Sequence, residues 1–134
     1  MSDRELINIA LGAMKNAYSP YSRFKVGAAL LCADGSVYTG CNVENASFGA
    51  TNCAERTAVF KAVSEGKRDF KVIAVVGGKD GSVGSYCPPC GVCRQVMSEF
   101  ARKDFRVLLF DGENVKEHTL AELLPLGFSG ENVK

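Results

Sequence analysis

The sequence predicts a three-layer α/β/α fold around a mixed five-stranded sheet. Three observations carry that expectation. Helical and strand-like patterns alternate as helix, strand, strand, helix, strand, helix, strand, strand. Asp34-Gly35 is a hairpin signal between the first two strands. The run Phe70 to Val76 is apolar without alternation, as in a strand covered on both faces.

Each element follows from local chemistry. Ser2-Asp3-Arg4-Glu5 reads as a capping box. Behind it Leu6, Ala10, Ala13, Met14 and Ala17 recur at helical spacing until Tyr18-Ser19-Pro20 stops them. Phe24 to Ala33 reads as a buried strand, and Ser36 to Val43 as its hairpin partner. A polar loop, Glu44 to Thr51, leads into a helix from about Asn52 to Glu65 that ends at Gly66. After the third strand, Gly77 to Pro89 reads as a glycine- and proline-rich loop. A helix over about Gly91 to Arg102 is expected to end on Arg102 and Lys103, where cations suit the helix dipole. Phe105 to Phe110 is the fourth strand, Asp111-Gly112 a turn, and Val115 to His118 the fifth. The strands after the two central helices are expected to lie parallel, and the first two antiparallel. The tail carries Leu120, Leu123, Leu124, Leu126 and Phe128, a pattern for helix packing or a subunit contact.

Composition narrows the function. A length of 134 residues fits one domain, 1–134. Sixteen Lys and Arg stand against fifteen Asp and Glu, a net charge of +1, so a nucleic-acid partner is not expected. No apolar run approaches the roughly 18 residues of a membrane span, and no signal-peptide pattern precedes the first helix. A cytoplasmic location is therefore expected, where six cysteines serve as thiols or metal ligands rather than disulfides. The single histidine, His118, excludes any site needing two imidazoles, and it is assigned no role.

The cysteines are not scattered at random. Cys53-Ala54-Glu55 and Pro89-Cys90-Gly91-Val92-Cys93 each fall at a predicted helix start, where a thiolate is favoured by unpaired N–H groups and the helix dipole. In a Cys-x-x-Cys turn two sulfurs converge on one metal, and Cys53 makes a third ligand. Soft thiolates in a tetrahedral set favour zinc, and three protein ligands leave a position open for water. Glu55 then reaches that water from the first helical turn without binding the metal, as a general acid–base. Cys32 and Cys41 read as buried thiols.

This pattern resembles the cysteine zinc signature with a non-ligand Glu found in nucleobase deaminases. The chain resembles the small homotetrameric cytidine deaminases through Phe24-Lys25-Val26-Gly27-Ala28-Ala29, Gly40 to Ser47, Thr51 to Arg56, Pro89 to Gln95, and Leu123-Leu124-Pro125 followed by Phe128. The resemblance implies one Zn²⁺ per subunit on Cys53, Cys90 and Cys93, with Glu55 shuttling protons. It implies that Asn42 and Glu44 hydrogen-bond the ribose hydroxyls and that Phe24 packs on the pyrimidine or sugar. The backbone at Ala54 and Cys90 would contact the base, and Phe128 of a neighbouring subunit would close the pocket. The implied reaction is hydrolysis of cytidine and deoxycytidine to uridine and deoxyuridine plus ammonia, in pyrimidine salvage.

Three thiolates on Zn²⁺ sum to −1, so positive charge is expected nearby. Arg56 is the candidate donor to a ligand sulfur, and Arg94 a lesser one. Cys87-Pro88-Pro89-Cys90 overlaps the second motif, so four cysteines are an alternative, closed structural site. The stiff consecutive prolines oppose it, and a closed site leaves Glu55, Asn42 and Glu44 without a role. Deamination of bases in RNA or DNA is a rival that the missing basic surface disfavours. Deamination of an aminonucleoside antibiotic is a second, which Asn42-Val43-Glu44-Asn45 disfavours, and a zinc-stabilised binding module is a third.

Overall fold

The structure, a computed structural model, describes residues 1–134. Helix α1 (Asp3–Met14) opens on the Ser2 capping box, with Glu5 N donating to Ser2 Oγ at 3.1 Å and Ser2 N to Glu5 Oε1 at 3.4 Å. Strands β1 (Phe24–Cys32) and β2 (Val37–Cys41) form an antiparallel hairpin. Its turn uses Gly35 at φ 90°, and Ser36 N donates to Asp34 Oδ1 at 3.0 Å. Helix α2 (Ala54–Ser64) crosses to β3 (Phe70–Lys79), which pairs antiparallel with the other edge of β1. Helix α3 (Gly91–Phe100) leads to β4 (Ala101–Phe110), parallel to β3. Strand β5 (Val115–Thr119) returns antiparallel to β4, and α4 (Leu120–Leu123) follows. The sheet order is β2-β1-β3-β4-β5.

Side-chain alternation builds two cores, one on each face. Leu6, Ile7, Ala10 and Met14 of α1 pack on Ala29, Val72, Ala74, Val76 and Leu108. On the opposite face Ala58, Val59 and Ala62 of α2, with Cys93 and Met97 of α3, meet Ala28, Leu30, Ile73, Val75 and Val107. Successive residues of β3 thus face opposite helical layers, which explains its unbroken apolar run. Two glycines let the helices sit directly on the strands. A β-carbon on Gly27 would stand 2.1 Å from Ala10 O, and one on Gly40 2.2 Å from Ala54 O. Gly40 therefore fixes how closely the first turn of α2 approaches β2.

Some boundaries differ from expectation. The first helix ends at Met14, because Tyr18 is drawn into a bridge with Val43, its N–H donating to Asn42 O at 2.9 Å. Gly77 and Gly78, expected in a loop, extend β3 by pairing with Val26 and Lys25. The chain leaves α3 at Phe100, whose ring packs 5.5 Å from that of Phe70, and enters β4 at once. Arg102 and Lys103 are accordingly strand residues rather than helix-terminal cations, and Arg102 pairs with Asp69 and Asp104.

Candidate metal centre and active site

Helices α2 and α3 pack on one face of the sheet and bring their N-termini together there. Cys53 is the N-cap of α2 and Cys90 the N-cap of α3, both extended, at φ −78°, ψ 157° and φ −68°, ψ 168°. Cys93 lies three residues into α3 and so returns to the same face as Cys90. The three Sγ atoms lie within 4.8 Å of one another, with Cys53 to Cys90 at 3.7 Å and Cys90 to Cys93 at 3.4 Å. Sulfurs on a tetrahedron about 2.3 Å from a zinc ion stand about 3.8 Å apart, so the set fits zinc in donor chemistry and in spacing. Cys87 is outside this set, and the four-cysteine alternative is not formed.

The cluster is electrostatically prepared. Cys53 is lowered to about 5, first by the hydrogen bond it shares with the Cys93 thiol and then by Arg56. Cys93, bonded to Cys53 and buried, is pushed far up and keeps its proton. Zinc bound here would displace that proton. Arg56 Nη2 donates to Cys53 Sγ at 3.2 Å, while its Nε is buried without a partner. Arg94 binds no sulfur. Its Nε donates to Pro89 O and its Nη1 to Leu123 O, each at 2.7 Å, which ties the cysteine loop to α4.

Glu55 is 4% exposed and forms no ion pair. Burial pushes its carboxyl up to about 7. Cys87 stands beside it, pushed up to about 12 by burial and then by the charge of Glu55. Cys87 and Phe24 both flank Gly77: a β-carbon there would stand 2.9 Å from Cys87 Sγ and 3.0 Å from the Phe24 ring. Phe24 is 39% exposed at the start of β1.

The other expected contacts are placed less simply. Asn42 is buried and clamps β1: Val26 N donates to its Oδ1 at 2.9 Å, and its Nδ2 donates to Phe24 O at 2.8 Å. Glu44 Oε1 accepts from Tyr21 N and Ser22 N at 3.0 and 3.1 Å, and Ser22 Oγ donates to Oε2. Ser22 was not singled out in the sequence, where only the Tyr18-Ser19-Pro20 stop marked this segment. Glu44 borders a surface cavity lined by Tyr21, Ser22, Asn45, Phe48 and Thr51. Ala54 is fully buried at the start of α2, and Cys90 is exposed. Phe128 is 60% exposed in a separate cavity with Leu120 and Leu124, its carbonyl accepting from Gln95 Nε2 at 2.9 Å. No cysteine of the cluster lines that cavity. His118 Nδ1 lies 3.3 Å from Glu122 Oε2, at the start of α4.

Residues 1–109 match the family described as the cytidine and deoxycytidylate deaminase zinc-binding region. A cytidine deaminase of Halalkalibacterium halodurans is 53% identical over 134 residues, covering 99% of this chain and 98% of that protein. A blasticidin-S deaminase of Bacillus cereus is 32% identical over 95% of this chain and 92% of its own. The crystal structure of cytidine deaminase from Burkholderia pseudomallei superposes with a TM-score of 0.86 at 48% identity, over 96% of this chain and 100% of that one. The chain belongs to the cytidine and deoxycytidylate deaminase zinc-binding family.

Proposed function

We propose that this chain hydrolyses cytidine and deoxycytidine to uridine and deoxyuridine with release of ammonia, as a zinc-dependent enzyme of pyrimidine salvage in the cytoplasm. The observation that carries the reading is the buried carboxylate of Glu55, free of any ion pair, set against three convergent sulfurs. Full-length identity of 53% to a cytidine deaminase supports the choice of base.

Cys53, Cys90 and Cys93 would hold the metal, which when bound would activate water for attack on C4 of the ring. Glu55 would take one proton from the attacking water and deliver it to N3, then take the second from the new C4 hydroxyl and pass it to the departing amino group, so that water and cytidine become uridine and ammonia. Backbone groups of Ala54 and Cys90 orient the base, and Phe24 packs against the base or sugar. Asn42 retains one N–H and one lone pair, and Glu44 retains acceptor capacity on Oε2, for ribose hydroxyls. The assembly is a homotetramer in which Phe128 of a neighbouring subunit closes each pocket, in line with its exposure on this chain.

The test is the ultraviolet change as zinc-loaded protein meets cytidine, deoxycytidine, cytosine, CMP, an RNA hairpin and an aminonucleoside antibiotic. Turnover confined to the two nucleosides is expected. Turnover of the antibiotic alone would transfer the reading to that class, and no turnover of either nucleoside would overturn it.

A further inference from the structure

Strand β1 is entered through three consecutive residues, each held by a different part of the molecule. Ser22 is bonded to Glu44, and the Phe24 carbonyl to Asn42. Arg23, between them, turns toward the end of β3. Its Nε donates to Asp80 Oδ1 at 3.0 Å, its Nη2 donates to Oδ2, and its carbonyl accepts from Asp80 N at 2.6 Å. Arg23 and Asp80 are both left-handed, at φ 61° and 54°. Residues with a β-carbon persist in that region only where their surroundings over-determine it. Here a two-pronged ion pair and a backbone bond close the β1–β3 ladder one step beyond Phe24↔Lys79. A tight turn presents Asp80, with Gly81 N donating to Gly78 O at 3.1 Å and no room for a β-carbon on Gly78.

We propose that the Arg23–Asp80 pair is a latch that positions the Phe24 ring and the Glu44 carboxylate for the nucleoside. This inference rests on the functional reading above. Each anchored group is one bond network away: Phe24 follows Arg23 directly, and Ser22, which precedes it, holds Glu44. Cys53, Glu55, Cys90 and Cys93 lie on α2 and α3, which the latch does not touch, so releasing it weakens binding and leaves the chemical step alone.

The test compares Asp80→Ala, Arg23→Gly and the swapped double variant Arg23→Asp/Asp80→Arg with the wild type. Arg23→Gly removes the ion pair while favouring the left-handed backbone, which separates the side-chain role from backbone shape. Because the pair is exposed, each single variant is expected to raise KM for cytidine about three- to fivefold, with kcat within about twofold. The swap is expected to recover most of that loss. Hydrogen exchange at the Tyr21 and Ser22 amides, which donate to Glu44, is expected to quicken about threefold in each single variant and to recover in the swap. If the wild type turns over no nucleoside, the functional reading fails, and the exchange rates alone decide the latch. Unchanged KM and exchange in the single variants, or a swap as impaired as they are, would overturn it.

Discussion

Arg56 donates to Cys53 Sγ at 3.2 Å from one turn further along α2, so thiol and guanidinium share one helix face. Three thiolates leave a zinc site with net negative charge, which weakens its pull on a bound water. The guanidinium offsets this at the sulfur itself. Arg56→Ala is expected to lower zinc affinity or kcat/KM about 10- to 100-fold, as is usual for groups that orient metal ligands. Arg94→Ala, which frees the Pro89 and Leu123 carbonyls but no sulfur, is expected to cost less. Zinc titration and cytidine kinetics on both variants check this; equal zinc content and activity would contradict it.

Gly40 sets where Cys53 stands. A β-carbon there would meet Ala54 O at 2.2 Å and Ala58 N at 2.6 Å, both rigid backbone. Gly40→Ala must lift the first turn of α2, at a cost of about 1–3 kcal/mol. A lower urea midpoint together with weaker zinc retention is expected. An unchanged midpoint with full zinc would show that the helix start is not held this way.

Cys87 separates by environment from the three clustered cysteines. Burial pushes its thiol up to about 12, whereas Cys53 beside Cys93 and Arg56 is brought down to about 5. Cys87→Ser is therefore expected to keep one zinc per chain and stay active, while Cys90→Ser loses the metal. Native mass spectrometry reads both, and zinc loss in Cys87→Ser would restore the closed four-cysteine site.

The stretches legible in the sequence are those whose determinants lie within a few residues. The Ser2 capping box, the Asp34-Gly35 turn and the cysteines at two helix starts are all local signals, and each stands at the expected place in the fold. What escaped depends on residues far apart in the chain. Asp80 meets Arg23 across 57 positions, and nothing near either residue marks a left-handed backbone. Arg102 looked like a helix-terminal cation until Phe100 packed on Phe70 and drew the following residues into β4. Asn42 and Glu44 stood out as a polar pair ending an apolar strand. Their bonds to Phe24, Val26 and Ser22 depend on how β1 and β2 align.

Acid stability has a source remote from the site. Arg106 on β4 links Asp3 of α1 to Glu117 of β5, at 2.9 and 2.6 Å. The Arg106 hydrogen bond holds the Asp3 carboxyl below its ordinary 3.8. A carboxyl lowered in the folded state stabilises it above the unfolded pKa, and that contribution is lost as pH falls through the folded one. Arg106→Ala is expected to cost about 1 kcal/mol or less at pH 7 for these largely exposed pairs, roughly 3 °C in Tm. The gap should narrow in acid, as pH falls through the lowered pKa of Asp3. A gap that widens in acid would contradict the sign.

In the proposed reaction Glu55 moves the protons while the three cysteines hold the metal. Glu55→Gln keeps the size and hydrogen-bonding shape of the side chain but carries no transferable proton. The decisive measurement is absorbance-monitored turnover of cytidine by wild type and Glu55→Gln, each with its zinc counted. The account predicts one zinc per chain in both and a loss of about 10²- to 10⁴-fold in kcat for the variant. A zinc-loaded Glu55→Gln that turns over cytidine within about twofold of wild type would contradict it.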